Sequence, residues 1–363
     1  MSLDRETRAV YEAKAGTWTA AREGKSLERA DTLTRRMSAD AGPALDLGCG
    51  LGSLMEALPS DAVGLEPATA MLELLRERLP ESLAIQGEAA ALPFRRESLG
   101  GAVVNAVYVH IDRPALPMVL AELHRTVSVG APVELGLFGG DQDLTSMTTG
   151  DFVGRKLALW QDDHLLDVVV GAGFDIVEHS RTERETTGHW PYLQTSLTRL
   201  RSLPDTVGPG MRLLVCGLNP SLHAADMGVG FGRGGNRFWP AALAAGLVSV
   251  DRDAAHALTE HGVGMTDLVK RATTRADELD NAEYAEGLGR IDRLCGWLRP
   301  EAVCMVGLSG WRAAVDKKAA TGWQARELGG SPVYVMPSTS GLNAHAQLPV
   351  LTDHLRTAMA GPG

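Results

Sequence analysis

The stretch Leu213-Leu214-Val215-Cys216-Gly217-Leu218-Asn219-Pro220-Ser221 decides how the second half of the chain is read. Its apolar run predicts a buried strand. The strand must stop at Gly217-Leu218-Asn219-Pro220, because Pro220 has no N–H and cannot extend a ladder. Such an end projects one amide side chain, Asn219, from the carboxyl edge of a parallel sheet. Open α/β sheets bind ligands at that edge.

Downstream, residues 228–235 hold five glycines around Phe231 and predict a flexible loop. It ends in Asn236-Arg237-Phe238-Trp239-Pro240 at the start of a helix over 240–245. Residues 262–271 predict a turn and a short apolar element. A helix is expected over 282–298, a strand over 302–307 and a helix over 311–317. A last strand over 332–336 runs into Pro337-Ser338-Thr339-Ser340-Gly341-Leu342-Asn343, and a closing helix follows Pro349. The alternation predicts an α/β sandwich with a mostly parallel sheet.

Upstream, a second centre appears at Ala44-Leu45-Asp46-Leu47-Gly48-Cys49-Gly50-Leu51-Gly52. A short apolar strand runs into glycines at alternate positions, where backbone can approach a ligand closely. A helix expected over 53–58 would point its N-terminus at that ligand. A second strand, Ala62-Val63-Gly64-Leu65, ends in Glu66, twenty residues after Asp46. An acid at that spacing meets ribose hydroxyls in a βαβ unit. Helices are expected over 5–15, 27–39, 68–78 and 115–126, and strands over 83–88, 101–107 and 131–138. Two domains are therefore expected, both α/β/α sandwiches: residues 1–198, a turn-rich linker over 199–210, and residues 211–363.

Bulk properties narrow the class. Hydrophobic content of 44% and charged content of 22% place the chain with ordinary soluble globular proteins. No apolar run reaches the ~18 residues of a membrane span. Residues 1–20 carry Asp4, Glu6 and Glu12 and no apolar core, so no signal peptide is expected. Cys49, Cys216, Cys295 and Cys304 form no C-x-x-C pair. That speaks against a metal centre or a disulfide frame and for a reducing, cytoplasmic setting. The net charge of −10 lies wholly in residues 1–200, with 19 Lys+Arg against 29 Asp+Glu. Residues 201–363 balance at 16 and 16, so the second half can still present a local basic face to phosphate.

The first half resembles the class I methyltransferases that use S-adenosylmethionine. The carrying residues are Asp46-Leu-Gly-Cys-Gly-Leu-Gly, Glu66, and Gly87-Glu88 followed by Leu92-Pro93-Phe94. The resemblance implies S-adenosylmethionine as cofactor. Asp46, Gly48, Cys49, Gly50 and Gly52 would surround its methionine moiety, Glu66 would take the ribose hydroxyls, and Glu88 would lie by the adenine. No motif names the methyl acceptor, although Tyr108, His110 and Asp112 follow the fourth strand. His110 reads better as a residue that braces its loop.

The second half is similar to the uracil-DNA glycosylase superfamily, in particular its mismatch-specific, thymine-DNA-glycosylase-like branch. Four motifs appear in the family's order: Gly217-Leu-Asn-Pro, Asn236-Arg-Phe-Trp, Gly264-Met-Thr-Asp-Leu-Val-Lys-Arg, and Tyr334-Val-Met-Pro-Ser-Thr-Ser-Gly-Leu. The resemblance implies removal of uracil, or a related damaged pyrimidine opposite guanine, from double-stranded DNA by base flipping. Asn219 would hold the attacking water. Gly217, Leu218, Phe231 and Ser338 would form the base pocket, with Phe231 stacking on the flipped base. Gly341, Leu342 and Asn343 would enter the DNA, Leu342 as a wedge. No cofactor is implied for this half, and no Lys beside Asn219 would form a Schiff base.

An amide cannot take a proton as a carboxylate can, so slow chemistry is expected. Met336 stands where more active relatives carry a His, and Ser221 where glycine is commonest. Blander roles remain open: an Asx turn for Asn219, a loop brace for Arg237, phosphate contact or a plain exposed pair for Lys270 and Arg271. An alternative function is a methyltransferase whose second domain only binds nucleic acid.

Overall fold

The strand β1 (Ala44–Leu47) is buried along its whole length, as a parallel strand with helices on both sheet faces must be. The computed structural model describes residues 4–17, 27–148, 152–183, 190–343 and 345–362. The chain forms two units, one of residues 1–170 and 174–200 and the other of Gly171–Gly173 and residues 201–363.

In the first unit α1 (Arg5–Lys14) and α2 (Leu27–Arg36) precede β1. Then follow β2 (Val63–Glu66), α3 (Thr69–Arg78), β3 (Leu83–Gln86), β4 (Gly101–Asn105), α4 (Leu116–Thr126) and β5 (Pro132–Phe138). A short pair, β6 (Thr145–Ser146) and β7 (Lys156–Leu157), stands outside the main sheet. After it come α5 (Asp162–Gly171), β8 (Phe174–Thr182) and β9 (Tyr192–Arg199). The sheet order is β3-β2-β1-β4-β5-β9-β8. The five central and left-hand strands are parallel, while β9 runs antiparallel between β5 and β8. The chain winds from β1 out to β3, then returns to β4 on the other side of β1. The loop after β1 therefore opens at the reversal of strand order, where such sheets hold ligands.

Residues 53–58 are not the expected helix. They form consecutive turns, with an α-type bond from Leu58 N to Leu54 O. Gly48, Gly50 and Gly52 all have positive φ. This repeated left-handed backbone coils the chain away from a regular helical start.

The second unit repeats the logic with a smaller sheet. Its elements are β10 (Leu213–Gly217), α6 (Leu222–Met227), α7 (Phe238–Ala245), α8 (Ala254–His261), β11 (Val263–Asp267), α9 (Asn281–Leu298), β12 (Val303–Val306), α10 (Leu308–Ala314), β13 (Gly322–Trp323), β14 (Val333–Met336) and α11 (Leu348–Ala360). The order is β11-β10-β12-β14-β13, parallel except for β13. β11, expected only as a short apolar element, is a full partner of β10. The loop after β10 again opens where strand order reverses. Phe238 and Trp239 are buried with Leu213, Val215, Leu351 and Leu355 in one core, and the Trp239 indole donates to Gly230 O at 2.8 Å.

The stretch 199–210 does not hang free as a linker. Arg199 ends β9, Thr206 pairs with Met265, and Asp205 is buried. Asp205 ion-pairs with Lys270 at 2.8 Å and Arg290 at 2.6 Å and accepts from Thr266 Oγ1 at 2.6 Å. Lys270 also donates to Leu203 O. A carboxylate with this many buried partners must stay inside the fold that supplies them. The two cations hold its pKa below the usual carboxylate value against the opposing effect of burial. Asp205→Asn leaves two buried cations without a counter-charge, which costs about 3–5 kcal/mol. A fall of that size in urea-unfolding free energy, confined to the second unit's transition, is the expected result.

Candidate functional sites

Backbone pairing in the second unit continues past the sheet. Leu268 N donates to Gly217 O, Val269 N to Leu218 O, Thr273 N to Pro220 O and Leu222 N to Thr273 O. The loop after β10 is thereby fastened along the segment after β11. Within this zipper the Asn219 amide nitrogen donates to Arg271 O at 3.0 Å and to Thr273 Oγ1 at 2.8 Å. The Arg271 carbonyl can only accept, so it fixes which end of the amide faces it. Asn219 Oδ1 is left as the acceptor for an incoming group. Among the described residues the Asn219 side chain makes no Asx turn, and the cap of α6 belongs to Ser221, whose hydroxyl accepts from Ala224 N at 3.2 Å.

Phe231 stacks on Phe238 with ring centroids 4.4 Å apart and 26° between planes. It is half-buried, and its φ is +56°, a left-handed conformation that costs a bulky residue about 1–3 kcal/mol. A Cβ at Gly217 would stand 3.3 Å from Phe231 Cζ and would collide with Asp267 Oδ1. Gly217 thus leaves its side-chain space to an aromatic edge and a carboxyl. Leu218 turns its side chain toward α10, where it approaches Gly310.

The loop after β14 is braced from the glycine loop. Arg237 N donates to Thr339 O, and Arg237 Nη2 to Ser340 O and Asn343 O at 2.7 and 2.5 Å. Asn343 Nδ2 donates to Ser338 O at 2.9 Å. At the tip Leu342 is 93% exposed.

In the first unit Asp46 is buried at the end of β1, and its Oδ2 has no hydrogen-bond partner. Burial, then the nearby Glu66, pushes its pKa up to about 7. Glu66 is raised to about 7 by burial too, although its carboxylate accepts from Gly50 N at 3.1 Å and Ala68 N at 3.0 Å. Each Glu66 oxygen keeps capacity for a further donor. Gly50 has φ +53°, and a Cβ there would meet nothing within 4 Å. Glu12 of α1 caps α3 by accepting from Thr69 N and Ala70 N, each at 2.8 Å. Glu88 lies 3.7 Å from Arg8. The Cys49 thiol is raised well above its ordinary pKa, by burial first.

Residues 204–359 match the model of the Uracil DNA glycosylase superfamily, and residues 45–133 match a model described as Methyltransferase domain. The chain joins a methyltransferase domain to a uracil-DNA-glycosylase-superfamily domain. Solved structures similar to it include a SAM-dependent methyltransferase from Methanosarcina mazei, 16% identical over 46% of this chain and 96% of that one, with a TM-score of 0.41. Another is the Burkholderia thailandensis 1,6-didemethyltoxoflavin-N1-methyltransferase, 15% identical over 53% of this chain and 87% of that one, with a TM-score of 0.43.

In the glycosylase-superfamily domain the fold brings Asn219, Gly217 and Phe231 onto neighbouring segments. Leu218 offers its backbone but not its side chain. Ser338 lies beside Gly307, with its hydroxyl accepting from Ser340 N. Arg237 is the loop brace its position suggested. Lys270 is neither an exposed cation nor placed for phosphate, since burial with Asp205 consumes it. Arg271 is exposed and pairs with Glu283 at 2.7 Å. Thr273 and Asp267 were missed, because only strand pairing reveals that they face residues fifty positions upstream.

In the methyltransferase domain Tyr108 is fully buried. Both His110 nitrogens are engaged, by the Tyr11 hydroxyl at 2.9 Å and by Lys156 O at 2.8 Å. Burial lowers the His110 pKa to about 4. Neither residue is open to a methyl acceptor, whereas Asp112 is exposed.

The Asp46 carboxyl, with its buried Oδ2 unpartnered, yields a stability prediction. Its pKa in the fold is raised above the unfolded value, so burial of the ionised form costs stability at high pH. The cost is complete above about pH 7 and fades toward about pH 4. Asp46→Asn should raise the unfolding free energy of this domain by about 1–3 kcal/mol near pH 8, less than the shift alone implies because the amide is itself buried. Paired thermal melts should show the gain shrink toward about pH 5.

Proposed function

We propose that the second domain hydrolyses the N-glycosidic bond of uracil, or of a related damaged pyrimidine opposite guanine, in double-stranded DNA. The pinned Asn219 amide is the observation that carries this reading. With its nitrogen held by Arg271 O and Thr273 Oγ1, its oxygen accepts from a water and aims that water at the sugar carbon. As the bond breaks, positive charge grows on the sugar and negative charge on the departing base. The water oxygen bonds to the carbon and its proton passes to solvent, since an amide oxygen is not a base at neutral pH. Phe231 supplies the stacking surface for the flipped pyrimidine, and backbone N–H groups of the loops stabilise the leaving anion. Leu342 fills the gap left in the base stack, offsetting an unstacking cost of a few kcal/mol. The domain acts by hydrolysis alone, without a covalent enzyme intermediate.

The first domain, in the same proposal, binds S-adenosylmethionine. The acceptors and space here suit a cation with ribose hydroxyls: a buried carboxyl oxygen without a partner at Asp46, spare acceptor capacity at Glu66, and open space above Gly50. Glu88 would take the adenine side. Bound there, the cofactor supplies an activated methyl group. Asp46 and Glu66 hold charge for it, and Cys49, a neutral thiol, packs beside it.

Incubation of the full chain with a uracil·guanine duplex, followed by alkali, should reveal abasic sites. Asn219→Ala should lower single-turnover excision by about a hundredfold or more. Thr273→Val, which frees the amide to rotate, should lower it roughly tenfold with the fold intact. The reading fails if wild-type protein makes no abasic site or if Asn219→Ala leaves the rate unchanged. Binding without excision, with methyl transfer to the bound duplex, would instead make the second domain a positioning module. Titration calorimetry with S-adenosylmethionine should show tighter binding near pH 8 than near pH 6, as Asp46 and Glu66 ionise. No heat at either pH would sink the cofactor assignment.

A further inference from the structure

Arg29, in the first turn of α2, is a buried cation, 8% exposed. Among the described residues its guanidinium makes no ion pair and one hydrogen bond, from Nη1 to the neutral Asn105 Oδ1 at 2.5 Å. Nε is enclosed without a partner, and Nη2 has none either but is not enclosed. Glu134 of β5 is committed to Arg36 at 2.6 Å and to Ser196 at 2.7 Å. Residues 1–200 hold 29 Asp+Glu, yet no acid among the described residues pairs with this cation. A buried charge without a counter-charge is costly to keep. Its surroundings are specific. The guanidinium lies over the Tyr192 ring, 4.4 Å from the centroid. The Tyr192 hydroxyl donates to Asn105 Oδ1 at 2.7 Å and fills the space that a side chain at Gly136 would need. Phe138 meets Tyr192 edge-on and lies 6.1 Å from Trp190 between ring centroids, and all three rings are half-buried. Leu47 pairs with Val104, so Asn105 stands level with Gly48 at the head of the glycine loop.

We infer that Arg29 anchors the methyl acceptor, and that this acceptor is a small aromatic carboxylate. The inference rests on the methyltransferase reading above. The unengaged edge of the guanidinium, Nε–H beside Nη2–H, is the fork that matches the two oxygens of a carboxylate. An acid that reaches Nη2 can settle on the whole edge. Asn105 holds the opposite corner, and the Tyr192 ring supports the guanidinium plane. Phe138 and Trp190 offer apolar faces to a planar ring. One guanidinium balances one negative charge, and the excess of acids over residues 1–200 opposes a polyanion. A small singly charged acid therefore suits the site, and a nucleic-acid strand does not. Arg29 acts as a binding residue, not on the atom that receives the methyl group.

Titration calorimetry on the full chain with S-adenosylhomocysteine present tests this, with 4-hydroxybenzoate, its neutral amide and phenyl phosphate as probes. The acid should bind at least roughly tenfold more tightly than the amide, and phenyl phosphate no more tightly than the acid. Arg29→Met should erase the difference between acid and amide. The amide separates an anchor from a brace: a damaged fold weakens both probes, whereas a lost anchor weakens only the acid. Arg29→Lys keeps the charge and should keep part of the preference, which covers a failure of Arg29→Met to fold. The inference is overturned if acid and amide bind alike, if neither binds, or if the preference survives in Arg29→Met. Tighter binding of phenyl phosphate or of a single-stranded oligonucleotide than of the acid overturns it too. If S-adenosylhomocysteine itself does not bind while the acid preference and its loss in Arg29→Met persist, the anchor stands and the methyltransferase reading falls. If S-adenosylhomocysteine binds and the acid gains nothing over the amide, the anchor falls alone.

Discussion

The second domain depends on backbone hydrogen bonds that continue after its sheet has ended. A single amide on a loop has many rotamers and no reason to hold one of them. Here the residues after β10 are stitched to those after β11 as far as Thr273, so Asn219 inherits the rigidity of two parallel strands. The stitch is itself anchored, because Lys270 lies inside it and is drawn into the core by Asp205. The buried ion cluster and the orientation of the half-buried Asn219 amide are one mechanical system. Positioning by fixed backbone dipoles costs nothing at the moment of reaction.

The methyltransferase domain uses the same topological device with a different chemical filling. Its glycine loop also follows a fully buried first strand at the reversal of strand order. There the backbone is held by a carboxylate, Glu66, which binds the Gly50 N–H. The result is a loop beside two carboxyls whose ionised forms burial disfavours. In the second domain the comparable position carries a neutral amide, with one isolated acid beside it. The two switch points thus differ in the charge they would welcome.

Much of this was legible from the residues. Apolar runs ending in glycine or Asn-Pro located both central strands, and the motif order located Asn219, Phe231 and the Leu342 loop. Arg237 could be read as a loop brace, and its guanidinium does bind Ser340 O and Asn343 O. What stayed hidden depends on pairing across long separations. Thr273 and Asp267 look unremarkable in sequence, and their meaning comes from the register of β11 on β10. Residues 199–210 look like a linker because turn formers dominate, yet one carboxylate with buried partners outweighs that composition. The helix expected at 53–58 failed for a local reason, the repeated left-handed glycines before it.

The way Asn219 is pinned also constrains what the domain can become. Its two anchors are acceptors, a carbonyl and a threonine hydroxyl. A carboxylate at position 219 would meet the Arg271 carbonyl with like partial charge and keep only the Thr273 hydroxyl, which can turn to donate. An acid in this loop thus calls for a rearranged strand end or a donor in place of the Arg271 carbonyl. The neutral amide is an epistatic choice, shared between residues more than fifty positions apart, and one substitution does not undo it.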